Sequence, residues 1–217
     1  MSRRGKLTSA FGQSDLSVLS KNALPAIPPE LLIAEDEIDW SSVHEIGKGA
    51  NGSVYKAKYK SNEIAIKIFH LDNVELPQNQ KMIINAALEV AKLDHVNVVK
   101  CLGLCLSKGA LALQLASKEL ILGPRDGRHK KHKIHSLRQM VSVLGDVADI
   151  PPNLMEEALC QIATGLAYLH SQKIIHGDLK SGNVLVTGVR EDEFRFMLTD
   201  FGEPQLMLTL TSKSVKK

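Results

Sequence analysis

The stretch GKGANGSV at 47–54 restricts the fold of this chain most, because it combines three glycines with strand patterns on both sides. Before and after it, β-branched and aromatic residues alternate with polar ones, as they do in strands. A dinucleotide-binding loop leads from a strand into a helix, so strands on both sides argue against such a loop. Without Cβ atoms, a hairpin backbone at Gly47, Gly49 and Gly52 can approach a polyphosphate. The alternative is a hairpin that needs glycine only for its turn.

The residues that follow predict a small α+β unit. A turn at 60–63 leads into another strand pattern, EIAIKIFHL. Apolar residues then recur at helical spacing over 79–93, which predicts a helix. Two further strands are predicted at 96–106 and 110–116. We therefore expect five antiparallel strands with one helix on the sheet.

The second half of the chain predicts a mainly helical unit. Residues 118–136 are polar, basic and interrupted by glycine and proline, so we expect an inserted loop there. A long amphipathic helix is predicted at 154–171. Two short strands, at 184–186 and 194–200, flank a turn.

The N-terminal segment and the composition exclude several classes of protein. Residues 1–38 contain serines and prolines without a sustained period, which predicts a flexible leader. The net charge of +3 is too small to predict nucleic-acid binding. No segment has the roughly 18 consecutive apolar residues of a transmembrane helix. Three cysteines without a signal peptide are typical of a reducing compartment, so we predict a cytoplasmic protein.

Lys67 lies in a strand pattern whose isoleucines predict its orientation. Ile64, Ile66 and Ile68 alternate along the strand, so Lys67 points to the opposite face together with Ala65. An ammonium group in that position is a candidate for pairing with phosphate oxygens. The alternative is a solvated lysine on an edge strand.

Two further segments carry groups suited to phosphoryl transfer. The loop HGDLKSGN places Asp178, Lys180 and Asn183 close together, and these supply a carboxylate, an ammonium group and an amide oxygen. Asp200 ends an apolar strand and precedes Phe201 and Gly202, a setting that suits a magnesium ligand. The alternative for the loop is a polar connection rich in turn formers.

These four elements occur in the order and context of one family. With its glycine-rich hairpin, strand lysine, HGDLKSGN loop and DFG triplet, the sequence resembles the protein kinase family over about residues 40–202. The IDW segment and the HGDLKSGN loop look most like the tyrosine-kinase-like branch. The resemblance implies an α+β fold with a kinase N-lobe at 39–117, the basic insert after the hinge at 118–136, a partial C-lobe at 137–202 and a non-family tail at 203–217.

The resemblance also implies roles for the matched residues. ATP phosphates would lie under the three glycines, with the adenine between Val54 and Ala65, and Lys67 would hold the α and β phosphates. Backbone groups near 114–116 would bind the adenine as the hinge. Asp178 would be the catalytic base, Lys180 would neutralise the phosphate, and the magnesium ligands would be Asn183 and Asp200.

Three departures from the family pattern bear on activity. Ala86 stands where the N-lobe helix is expected to present a glutamate to Lys67. Glu89, about 60° away around the helix, either substitutes for that glutamate or is solvated. Gly177 replaces an arginine that binds a phosphorylated activation loop in many members. After Gly202 no A-P-E element follows, so we expect an incomplete large lobe. Its exposed apolar surface marks either an interface that a partner protein covers or an aggregation liability.

Two functions follow from this sequence. The first is an ATP- and magnesium-dependent protein kinase that acts on serine or threonine hydroxyls, because Lys180 lies two residues after Asp178 as in serine/threonine-directed members. The alternative is a catalytically impaired pseudokinase or truncated kinase fragment that acts as a nucleotide-binding or interaction module. The set of catalytic residues favours the first function, whereas Ala86 and the lack of family motifs after Gly202 favour the second.

Overall fold

The computed structural model describes residues 24–49, 52–116, 120–122, 130–132, 134–144, 152–188 and 194–201. A five-stranded antiparallel sheet forms the smaller lobe, and its strands lie in the order β1-β2-β3-β5-β4. The predicted five-stranded lobe is therefore confirmed. Its strands are β1 (Ile38–Lys48), β2 (Gly52–Tyr59), β3 (Asn62–Phe69), β4 (Cys101–Cys105) and β5 (Ala110–Gln114).

Helix α1 (Pro77–Ala91) packs on this sheet through its apolar face. It begins at a proline, whose fixed φ suits the first helical position and whose missing N–H costs no hydrogen bond there. Its buried residues are Met82, Ile83, Ile84, Ala86 and Ala87. The opposite face of the sheet has its own core, which includes Ile64 and Ile66 of β3.

Residues 24–37, which we call the N-terminal strap, lie along β4. The Leu31 and Ile33 side chains are buried, and the Ile33 N–H donates to the Leu104 carbonyl at 2.9 Å. The predicted flexible leader is therefore wrong for this segment, and residues 1–23 lie outside the described part. The strap fits closely, because a Cβ on Gly103 would lie 2.5 Å from the Ile33 Cδ1 atom.

The larger lobe combines two helices with a hairpin. Helix α2 (Leu137–Leu144) precedes helix α3 (Pro152–Ser171), and β8 (Val184–Thr187) pairs with β9 (Arg195–Leu198). Helix α3 confirms the long predicted helix, whereas α2 was not predicted. The shared core contains Met140, Leu154, Leu169, Val186, Phe196 and Phe201.

The insert after the small lobe is only partly a loop. β6 (Leu120–Leu122) pairs with β7 (Lys130–His132), so the predicted inserted loop is wrong for these segments, which form a short pair of strands. Ile134 is fully buried in the core of the larger lobe, so the insert ends before this residue and not at residue 136 as predicted. The predicted tail at 203–217 lies outside the described residues. Within the described ranges, no helix is both long and apolar enough to cross a bilayer.

Candidate active site

Antiparallel pairing brings the predicted nucleotide-binding side chains onto one face of the small-lobe sheet. Val54 of β2 lies directly opposite Lys67 of β3, and Lys67 lies opposite Leu111 of β5. Directly opposite residues share a face, and so do residues two apart in one strand. Val54, Ala65 and Lys67 therefore point the same way, as the isoleucine pattern of β3 predicted.

The glycine-rich hairpin stands next to that face. Gly47 pairs with Val54, and the Gly49 N–H donates to the Gly52 carbonyl at 2.9 Å. A Cβ on Gly52 would lie 2.5 Å from the Ile68 carbonyl oxygen, so β3 itself requires a glycine there. A Cβ on Gly49 would meet its closest atom at 3.6 Å, an ordinary contact. Steric need therefore accounts for Gly52, while Gly49 has room for a side chain.

A salt bridge joins the two lobes at this face. The Lys67 Nζ atom lies 2.8 Å from the Asp200 Oδ1 atom, although the two residues are 133 positions apart. Lys67 is buried at 6% relative exposure, so its ammonium group needs a countercharge. Asp200 has a φ of 57°, in the left-handed region that a non-glycine residue seldom adopts.

A cavity of about 50 Å³ lies beside this ion pair. Ala86 lines it together with Lys67. This is the arrangement expected if Ala86 stands where protein kinases carry the glutamate that pairs with this lysine. Glu89 is exposed, and its carboxylate lies 3.8 Å from the Lys92 Nζ atom. Apart from Thr199 and the ion pair, the cavity is apolar and lined by Phe69, Ala86, Val90, Val99, Leu111, Leu113 and Phe201.

The loop before β8 holds a hydrogen-bonded carboxylate. The Asp178 Oδ2 atom accepts from the Lys180 Nζ atom at 2.6 Å and from the Asn183 Nδ2 atom at 3.0 Å. The hydrogen bond from Lys180, reinforced by that from Asn183, lowers the pKa of Asp178 below its usual value. This carboxylate is therefore ionised at neutral pH and can accept a hydrogen bond from a hydroxyl group. Gly177 has a φ of 79°, which gives a local reason for glycine before Asp178.

Strand pairing connects this loop to the ion pair. Val184 of β8 pairs with Leu198 of β9, and the Thr199 N–H donates to the Asn183 carbonyl at 3.0 Å. Asn183 and Asp200 therefore lie at the same end of the β8–β9 hairpin. A continuous series of contacts brings together Lys67, Asp200, Asn183, Asp178 and Lys180.

His176 belongs to this site but was not among the predicted residues. It is 3% exposed, and its Nδ1 atom accepts from the Asp178 N–H at 3.4 Å. Its ring meets the Phe201 ring edge-on at 6.3 Å between centroids. Burial lowers the pKa of His176, so the imidazole is kept neutral. Of the two isoleucines before it, Ile174 packs against the core of the larger lobe, whereas Ile175 is 61% exposed, so the sequence carried no consistent sign that His176 is buried.

Comparison with known proteins identifies the family to which this site belongs. The family described as "Protein kinase domain" matches residues 40–215. The chain belongs to the protein kinase family. The match continues beyond Gly202, so the predicted end of the family resemblance at that residue was too early.

Several curated kinases are similar to this chain. Cytokinesis protein sepH of Aspergillus niger is 30% identical over 171 residues, which cover 78% of this chain and 11% of that protein. A probable serine/threonine-protein kinase of Dictyostelium discoideum is 29% identical over 192 residues, 84% of this chain and 33% of its own length. Serine/threonine-protein kinase mos of Sibon nebulatus is 30% identical over 196 residues, which cover 81% of this chain and 92% of that protein. The chain thus spans at most about a third of the first two relatives.

Proposed function

We propose that this chain transfers the γ-phosphoryl group of ATP to serine or threonine hydroxyls of proteins. The observation that carries the proposal is the contact series from Lys67 through Asp200 and Asn183 to Asp178. It connects the lysine of the small lobe to the carboxylate loop of the larger lobe, so groups for binding phosphate and for orienting a hydroxyl meet at one place.

The nucleotide would lie against the small-lobe face. Val54 and Ala65 offer apolar surface for adenine, with Gly47, Gly49 and Gly52 above the phosphates. The Lys67 ammonium group would pair with the α and β phosphates as a point charge. Backbone groups at 114–116, where β5 ends, would hold the adenine edge.

Asp200 and Asn183 have the oxygen chemistry that a magnesium ion prefers. The hydrogen bonds of Asn183 to Asp178 use its Nδ2 group, so its Oδ1 atom is the one suited to a metal. When bound, magnesium neutralises charge on the phosphates during transfer. With the metal present, the Asp200 carboxylate would lose part of its contact with Lys67 and contact the metal instead.

Asp178 would orient the acceptor hydroxyl and receive its proton. The hydroxyl oxygen forms a bond to the γ-phosphorus, the bond from that phosphorus to the bridging oxygen breaks, and ADP leaves with the electron pair. Lys180, whose side chain is 60% exposed, would turn from Asp178 to the transferring phosphoryl group. Positioning and charge stabilisation would supply most of the rate enhancement.

Serine/threonine specificity is supported by Lys180, two residues beyond Asp178, and by the names of two of the relatives. Free thiols at Cys101, Cys105 and Cys160 support a cytoplasmic location. A partner protein that covers apolar surface of the larger lobe is part of the same proposal, because Leu159 of α3 is 60% exposed.

A second candidate is a nucleotide-binding module without phosphotransfer activity. Ala86 favours it, because its methyl group lines the cavity beside Lys67, where the family resemblance implies a glutamate that pairs with the strand lysine. The two candidates predict the same nucleotide site, and they differ in whether a hydroxyl acceptor becomes phosphorylated.

Transfer of labelled phosphate from ATP to a mixture of serine- and threonine-containing peptides, in the presence of magnesium, separates the candidates. We expect incorporation that Asp178→Asn reduces by about 10² to 10⁴. Asp72→Asn, at an exposed position away from the site, is the matched control and should retain the wild-type rate. Nucleotide binding without transfer would establish the second candidate, and equal rates in both variants would refute the assignment of Asp178.

A further inference from the structure

Asn97 is a buried polar residue in the connection between α1 and β4. It is 4% exposed, and its Nδ2 group donates to the Gln161 Oε1 atom and to the Phe196 carbonyl, each at 2.9 Å. Its backbone carbonyl accepts from the Leu198 N–H at 2.8 Å. A small-lobe residue thus makes three hydrogen bonds to α3 and β9 of the larger lobe.

Gln161 of α3 completes the same network. Its Oε1 atom also accepts from the Phe196 N–H at 2.9 Å, and its Nε2 group donates to the Phe194 carbonyl at 3.1 Å. The remaining Nε2 hydrogen bonds Glu157, one turn earlier, at 2.9 Å. All four hydrogen-bonding positions of the amide are therefore used, and two of them hold the backbone of β9 and the residue before it.

The packing around this network leaves little room for movement. The Val99 N–H donates to the Leu198 carbonyl at 2.9 Å, so the 97–99 segment forms a parallel bridge with β9. A Cβ on Gly165 of α3 would lie 2.8 Å from the Asn97 carbonyl oxygen. Helix α3, the 97–99 segment and β9 therefore meet at close backbone distances.

β9 ends two residues before Asp200, whose φ of 57° is unfavourable for an aspartate. Such a conformation persists only where the surrounding structure holds it. The contacts of Asn97 and Gln161 fix β9 at Phe196 and Leu198, and the Lys67 ammonium group holds the Asp200 side chain from the other direction.

We propose that Asn97 and Gln161 are positioning residues, which hold β9 so that Asp200 faces Lys67 in the geometry that metal-nucleotide binding needs. This inference rests on the proposed function. Besides stabilising the fold, Asn97 and Gln161 would therefore strengthen the part of nucleotide binding that depends on the metal.

Gln161→Met tests the proposal, because methionine keeps the length of the side chain and removes its hydrogen bonds. We expect amide exchange at Leu198 and Thr199, followed by nuclear magnetic resonance, to accelerate about tenfold. Affinity for a fluorescent ATP analogue should fall about fivefold or more with magnesium and remain unchanged with a chelator. Ile38→Ala removes core packing in the small lobe away from β9, and it is the control for lost stability alone.

A double variant provides a rescue. Glu157→Gln combined with Gln161→Glu keeps one amide-to-carboxylate bond across the helix turn and keeps an acceptor for Asn97 and Phe196. The carboxylate introduced at position 161 cannot donate to the Phe194 carbonyl, so the double variant should recover only part of the magnesium-dependent affinity and slow exchange that Gln161→Met loses.

The inference would be overturned if Gln161→Met kept the wild-type rates of amide exchange and the wild-type effect of magnesium on nucleotide affinity. A fall in its melting temperature like that of Ile38→Ala would not change this conclusion. Failure of the wild-type protein to bind any nucleotide would instead refute the proposed function. In that case the exchange rates at Leu198 and Thr199 still decide whether the pair holds β9.

Discussion

The buried ammonium group of Lys67 is paired with the Asp200 carboxylate. Removing the partner of a buried charge costs more than the pair itself contributes to stability, because the remaining charge stays desolvated. Asp200 thus has two tasks, as the counterion of Lys67 and as the proposed metal ligand. A carboxylate from α1 would relieve it of the first task, and Ala86 cannot supply one.

Introducing that carboxylate should improve the site. Ala86→Glu extends a side chain into the cavity beside Lys67, and we expect the new carboxylate to pair with the ammonium group and leave Asp200 available for magnesium. Affinity for magnesium-ATP, measured by titration calorimetry, should rise about fivefold, as expected for one added charge-assisted hydrogen bond.

Ala87→Glu is the control for this experiment. Ala87 is fully buried in the core between α1 and the sheet, so its replacement buries a charge without a designed partner. We expect it to lower the free energy of unfolding by about 3 kcal/mol without any gain in affinity. A loss of affinity in Ala86→Glu at preserved stability would contradict the charge-sharing explanation.

Within the β1–β2 hairpin, two glycines that look alike in sequence have different reasons to be there. Gly52 lies so close to the backbone of β3 that no Cβ fits, while Gly49 has ordinary space around its Cα atom. The hairpin therefore has one glycine that the sheet requires and another that leaves its backbone open to a ligand.

Alanine substitutions should separate these two requirements. Gly52→Ala must push β2 away from Ile68, so we expect the free energy of unfolding in urea to fall by about 1 to 3 kcal/mol. Gly49→Ala should change it by less than about 1 kcal/mol, while weakening ATP binding if the phosphates pass under it. Equal losses of stability in the two variants would show that the contact with Ile68 is not decisive.

For the molecule as a whole, the buried imidazole of His176 makes stability depend on pH. Burial lowers the pKa of His176, against the smaller opposing effects of Asp178 and Asp200. The unfolded chain therefore binds a proton first as the pH falls below about 6.5, and the contribution of the neutral imidazole is lost there.

We expect the melting temperature to fall between pH 7.5 and 5.5 less steeply in His176→Gln than in the wild-type protein. His170→Gln, at an exposed position near the end of α3, should keep the wild-type slope. Identical slopes in all three proteins would mean that His176 is not the group responsible.

Period and spacing were sufficient for the five-stranded sheet and for helices α1 and α3. The alternating isoleucines of β3 placed Lys67 on the correct face, and the helical repeats placed α1 and α3 within about two residues of their ends. The loop at 176–183 and the DFG triplet predicted the candidate site, because their polar residues lie close together in the sequence.

The rest depended on contacts that no local pattern contains. The strap has two buried side chains among prolines, too few to set a period. Helix α2 has only eight residues, too few for a clear repeat. Asn97 was hidden in the apolar run VNVV, and its partner Gln161 is 64 positions away. Pairing over such distances is decided by the packing of the two lobes.

The N-terminal strap also determines what the small-lobe sheet presents to other molecules. β4 is the last strand in the sheet order, so its outer N–H and C=O groups have no sheet neighbour within the five strands. Such an edge is a template for pairing with another polypeptide. The bridge between Leu32 and Leu104, with the hydrogen bond from Ile33, occupies part of that edge. The same residues that complete the core thus protect the chain against self-association through β4.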